Sequence, residues 1–117
     1  MPYAGQDLVN AFHETRRDLQ ESDRKLDSLG IAMCGAGREY RIAVSKMILR
    51  LRAERQVPWT VCGDLARGME SVEALLFARD VSEVRYNNEI SHNNNLKLEA
   101  KFLENEINAG LKGGRNG

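Results

Sequence analysis

With 117 residues, the chain has room for one domain and one modest hydrophobic core. Aromatic residues make up 6% of the sequence and there are two prolines, a composition that favours helices and argues against a β-sandwich or barrel. Seventeen basic side chains balance seventeen acidic ones, so the net charge is zero and does not attract the whole protein to nucleic acid or anionic lipid. Any such binding must use a local cluster of positive charge.

The first predicted element is a helix over residues 7–29. Its inward positions alternate at four- and three-residue spacing, the pattern of a coiled-coil seam. Asp7 is a candidate N-cap, and Gly30 follows the last seam leucine. The seam consists of Leu8, Phe12, Thr15, Leu19, Ser22, Leu26 and Leu29.

Three glycines lie within residues 30–37, and each costs about 1 kcal/mol relative to alanine inside a helix. This segment is therefore predicted to be a turn. Met33 and Ala36 keep the four-three spacing, however, so one long helix through the segment is the alternative.

Residues 38–56 form the clearest predicted helix, with its apolar side chains on one face of about 140°. The opposite face carries Arg38, Arg41 and Arg52. These are candidate ligand-binding residues, because guanidinium groups bind phosphate through paired hydrogen bonds and stack on bases. The alternative is that acidic residues of the first and last helices neutralise them.

Pro58 ends this helix, because proline cannot continue it. Thr60 is predicted to cap a short elbow helix over residues 61–67, which ends at Gly68, a residue able to take the left-handed conformation at a helix C-terminus. Trp59 is the only tryptophan, and its ring suits either packing over the core or contact with a partner. Trp59 is therefore a further candidate ligand-binding residue.

A last helix of about 40 residues is predicted to begin just after Gly68 and to precede a disordered tail over residues 111–117. The asparagine-rich run at 87–95 has poor helix propensity, because short polar side chains compete for backbone hydrogen bonds. A break in this run is the alternative to one continuous helix. The seam resumes in phase at Leu96, which favours continuity.

Polar residues occupy several seam positions of this last helix. Such residues set register and oligomeric state at some cost in stability. In a symmetric oligomer, Arg79, Tyr86 and Asn93 of two chains would converge on one axis. They would then offer a cation, a ring and an amide to a phosphorylated small ligand.

Together these elements predict an all-α fold. The architecture is an elongated helical hairpin, or coiled-coil-like bundle, of two or three long helices with a short elbow helix. Residues 1–110 are predicted to form a single domain that associates as a homo-oligomer, a dimer or higher. The chain lacks a signal-peptide pattern and any apolar run of the roughly 20 residues that span a bilayer, which predicts a cytoplasmic protein without membrane contact.

Three segments of the chain carry a resemblance: REYRIAVSKMILRLRAE, PWTVCGDLARG and VEALLFARDVSEVRY. They resemble a family of short, uncharacterised bacteriophage proteins that are helical and accessory. The resemblance covers residues 38–86 and, more weakly, the chain to residue 107. It implies a phage origin, and hence the host cytoplasm, but no catalytic motif and no mechanism.

Three functions follow as hypotheses. The first is a counter-defence protein that sequesters a nucleotide immune signal or blocks a host effector protein. The second is a nucleic-acid or recombination accessory protein that uses the basic middle helix, and the third is a protein of virion assembly or structure. No set of acid, base and nucleophile can be assembled, so the chain is predicted not to be an enzyme. Cys34 and Cys62 are predicted free thiols, and no metal or cofactor is predicted.

Overall fold

The computed structural model describes the backbone of residues 5–116 and the side chains of residues 5–111. This part of the chain contains three α-helices: α1 (Gly5–Arg55), α2 (Trp59–Arg67) and α3 (Glu70–Asn116). Residues 5–116 include no strand, and the predicted all-α class is confirmed.

Helix α1 runs through the glycine-rich segment 30–37 without interruption, so the predicted turn is wrong and the single-helix alternative is correct. Packing explains one of the glycines, since a Cβ atom on Gly30 would lie 3.3 Å from Cε1 of Tyr86. Each added residue of a helix gains a hydrogen bond, so glycines at about 1 kcal/mol each do not stop a helix that is packed before and after them.

The break between α1 and α2 lies at the predicted proline, but the capping residue differs. The carbonyl of Pro58 accepts hydrogen bonds from the backbone N–H groups of Val61 and Cys62, at 3.1 and 3.2 Å. Helix α2 therefore begins at Trp59, and Thr60 lies inside the helix rather than capping it. Proline is tolerated at this N-cap position because the helix needs only its carbonyl as an acceptor, and its missing N–H would have no partner within the helix.

Gly68 follows the end of α2 as predicted, but its conformation is right-handed, with φ −80° and ψ −8°. Gly68 does not use the left-handed conformation open to glycine, because the chain keeps turning in the right-handed helical sense. The N–H of Gly68 donates to the carbonyl of Asp64 at 3.1 Å, and the N–H of Met69 donates to the carbonyl of Ala66 at 3.2 Å. This tightened turn leads directly into α3.

Helix α3 is continuous across the asparagine-rich run, as predicted, and at 47 residues it is longer than expected. It continues to Asn116, through most of the segment 111–117 for which the sequence predicts a disordered tail; Gly117 lies outside the described residues. Two glycines at 113 and 114 do not end it, since helix extension continues to gain one hydrogen bond per residue.

The chain divides into two compact units. The first unit consists of residues 1–27 and 88–117, and the second of residues 28–87. Within each unit, α1 and α3 run antiparallel: Ser22 meets Asn93 in the first, and Tyr40 meets Arg79 in the second. The prediction of a single domain over residues 1–110 stays a prediction.

A polar network holds the two helices of the first unit together. The side-chain amide of Asn93 donates to Ser22 Oγ at 3.1 Å and to Asp23 Oδ1 at 2.8 Å. The hydroxyl of Ser22 in turn donates to Glu89 Oε2 at 2.6 Å. Ser22 and Asn93 are both buried, so this network satisfies polar groups that would otherwise be costly to remove from water.

An apolar cluster holds the second unit together, and α2 is part of it. Leu51 of α1 is buried against Cys62 and Ala66 of α2, which have no exposed surface. Met47, Ile48, Val57 and Met69 pack around them. The short elbow helix therefore acts as a third layer that closes the core of this unit.

Candidate interaction face

The most distinctive surface of the second unit lies on the outer side of α1. At 100° per residue, eight side chains between residues 31 and 52 fall within an arc of about 100°: the small Cys34 and Ser45, and six that are arginine or large aliphatic. We call these six, together with Trp59 at the start of α2, the arginine face. Its residues are Ile31, Arg38, Arg41, Ile42, Leu49, Arg52 and Trp59.

Large apolar side chains on this face are open to solvent. Ile31 is 68% exposed, Leu49 61% and Trp59 60%, and Ile42 is exposed to a lesser degree. Single exposed apolar residues are common on protein surfaces, but a row of them along one helix face is typical of an interaction site.

Arg52 and Trp59 form a stacked pair at one end of the face. The guanidinium carbon of Arg52 lies 4.8 Å from the centroid of the Trp59 ring, a cation–π contact. The same guanidinium donates to the carbonyl of Val57 at 3.0 Å. Because two contacts fix Arg52, the exposed Trp59 ring is held in place before any partner binds.

No described carboxylate forms a direct ion pair with an arginine of this face; neutralisation by the acidic residues of the first and last helices at longer range stays an alternative. The ion pairs between described side chains join Arg50 to Glu54, Arg67 to Asp64 and Arg79 to Asp80, and none of them includes an arginine of the face. The carboxylates on the second-unit part of α1 are Glu39 and Glu54, which lie about 100° and 160° around the helix from Arg38. The face therefore carries positive charge without a carboxylate in its arc.

Other candidate binding residues are engaged in contacts within a single chain. The guanidinium of Arg79 stacks on Tyr40 at 4.9 Å and pairs with Asp80. Tyr86 packs against Gly30, and Asn93 belongs to the buried network of the first unit. A ligand site that these residues share between two chains stays a prediction.

Sequence analysis missed the apolar half of the arginine face. It assigned the apolar residues of this helix to one inward stripe and treated the outer side as basic. The missed signal was the spacing of Ile31, Ile42 and Leu49, which lie 11 and 7 residues apart and so recur on one side of a helix.

No protein-family model, curated protein or solved structure matches the chain. None of the helices within residues 5–116 combines the length and apolar character needed to cross a membrane. Among the side chains of residues 5–111, no group of three or more His, Cys, Asp or Glu is placed to hold a metal ion.

Proposed function

We propose that this chain is a non-enzymatic phage accessory protein that blocks a host effector protein by covering part of its surface with the arginine face. The observation that carries the proposal is the composition of that face. Three guanidinium groups, three large aliphatic side chains and a positioned tryptophan make up this face, and all of them except the half-buried Arg52 are exposed. Arginine and tryptophan are enriched among the residues that dominate binding energy at protein interfaces.

The chemistry of the face defines the kind of target it fits. Its apolar side chains favour a surface with shallow apolar pockets, since burying them removes apolar area from water. Its unpaired arginines favour carboxylates around those pockets, which would speed encounter and fix orientation. From Ile31 to Arg52 the face is about 32 Å long at 1.5 Å per residue, enough for one partner of an ordinary protein interface.

A protein target fits this surface better than a sequestered nucleotide. Small-ligand sites are concave, and their polar groups converge on one point. Arg38, Arg41 and Arg52 instead lie along the convex surface of one helix, spread over 14 residues. Blocking an effector is therefore the favoured form of counter-defence, and nucleotide sequestration is the weaker form.

The proposal is tested by plating phage on bacteria that carry a phage-triggered immune system, with and without this chain. We expect the wild-type chain to raise plating efficiency. Arg38→Glu and Leu49→Asp are expected to abolish the gain, because each places a carboxylate on the arginine face. Val61→Asp is the matched control, since Val61 is an exposed apolar residue of α2 outside the face. Full protection by both face variants would rule out this surface.

Nucleic-acid binding is the second candidate, and the stacked Arg52–Trp59 pair favours it, because bases stack on such exposed rings. A labelled 20-nucleotide single strand would report binding by anisotropy. With three arginine–phosphate contacts, we expect the logarithm of the binding constant to fall against the logarithm of the salt concentration with a slope of about −2. Leu49→Ser separates the two candidates: it weakens a protein interface but leaves binding to a phosphate backbone nearly unchanged.

A further inference from the structure

Helix α3 carries a second row of apolar side chains on the side away from its contacts with α1. In the second unit, this row consists of Phe77, Val81 and Val84, spaced four and three residues apart. Phe77 is 71% exposed and Val84 is also exposed. Both lie about 160–180° around the helix from Tyr86, which packs against α1.

The first unit carries its own segment of such a row. Leu98 and Phe102 are exposed and four residues apart, and Leu98 is 68% exposed. Leu98 lies about 140° around α3 from the buried Asn93 and from the buried Leu103. In sequence, both segments belong to one four-three series, which we call the outer row: Phe77, Val81, Val84, Asn88, Ser91, Asn95, Leu98, Phe102 and Asn105.

We propose that the outer row is an interface with a second copy of this chain, in which the two α3 helices lie parallel and in register. In heptad terms, Phe77, Val84 and Leu98 occupy d positions, and Val81 and Phe102 occupy a positions. The asparagines at 88 and 95 also fall at a positions. A buried asparagine at an a position specifies register and oligomeric state in a parallel pair, at some cost in stability.

Charges beside the outer row support the parallel arrangement in each unit separately. In a parallel pair, a g residue of one helix faces the e residue five positions later on the other. In the second unit, Asp80, which also pairs with Arg79 of its own chain, would face Arg85 of the second copy, and in the first unit Lys101 would face Glu106 of the second copy. Both pairs are of opposite sign, and the four charges sum to zero, so the row complements itself.

The oligomeric state of the full-length chain tests this interface, measured by light scattering or native mass spectrometry at tens of micromolar. We expect a dimer for the wild type. Val84→Lys should raise the dimer dissociation constant at least about tenfold, because two ammonium groups would face each other in an apolar seam. Val61→Lys, a valine of α2 outside the row, should leave it unchanged. A monomeric wild type, or a dimer indifferent to Val84→Lys, overturns the proposal.

A cysteine placed at position 105 tests the orientation. In a Cys34→Ser background, with Cys62 buried, Asn105→Cys should form an interchain disulfide on mild oxidation, because residue 105 meets itself in a parallel, in-register pair. Glu104→Cys, one residue outside the row, should cross-link at least about tenfold more slowly, since its side chain points about 100° away. A dimer that loses stability with Val84→Lys but never cross-links through residue 105 overturns the parallel arrangement.

Discussion

The two units join the same two helices by different chemistry. In the first unit α1 and α3 meet without a third helix, and the buried side chains there are three polar ones, Thr15, Ser22 and Asn93, and two apolar ones, Leu8 and Leu103. In the second unit α2 is added, and the buried cluster of Leu51, Cys62 and Ala66 is apolar. Hydrogen bonds between buried polar side chains specify the register of the two helices in the first unit. In the second unit, α2 supplies two of the three side chains of the buried apolar cluster.

The largest expected effect comes from truncating the apolar cluster of the second unit. Leu51→Ala should lower the free energy of unfolding by about 2–5 kcal/mol, because it removes buried methyl groups and leaves a cavity against α2. Leu51 is 3% exposed. Chemical denaturation followed by circular dichroism measures the change in midpoint.

Leu49→Ala is the matched control, since Leu49 lies two residues earlier on the same helix and faces solvent. We expect its effect to stay within about 0.5 kcal/mol, as for most surface substitutions. Equal losses for the two variants would mean that α2 does not close a core, and the contrast between the units would fail.

A smaller effect is expected from the network of the first unit. Asn93→Ala should lower the free energy of unfolding by about 1–3 kcal/mol, because the amide donates both to buried Ser22 and to Asp23. The same denaturation experiment measures it. Asn94→Ala is the control, since Asn94 is the exposed next residue along α3.

A double-mutant cycle with Ser22→Ala sharpens this test. If the two side chains act through their shared hydrogen bond, the loss in the double variant should be smaller than the sum of the single losses by at least about 0.5 kcal/mol. Strict additivity would show that the hydrogen bond does not couple the helices, and that burial alone explains the loss at Asn93.

The sequence predicts some parts of the fold and the candidate site better than others. Apolar spacing and Pro58 are local signals, and they predict the helices and the break between them. Whether residues 30–37 form a helix or a turn depends on what Gly30 packs against. Its neighbour, Tyr86, lies 56 residues away in sequence, so local spacing does not reveal the contact. Likewise, Arg52 stacks on Trp59 only because α2 folds back onto α1, a contact that spacing alone does not give.

The smallest expected change in stability comes from the glycines of residues 30–37, for which the sequence wrongly predicts a turn. Gly35→Ala should raise the free energy of unfolding by about 0.5–1 kcal/mol, because alanine restricts the unfolded chain and favours the helix. A Cβ at Gly35 meets no atom within 4 Å. At Gly30 the same change should gain less or reverse in sign, since the added Cβ would press on Tyr86 at 3.3 Å. Chemical denaturation of the two variants separates intrinsic helix propensity from packing. Equal gains in stability at both positions would mean that α3 does not hold Tyr86 against Gly30. A loss of stability for Gly35→Ala would mean that the segment is not helical in solution.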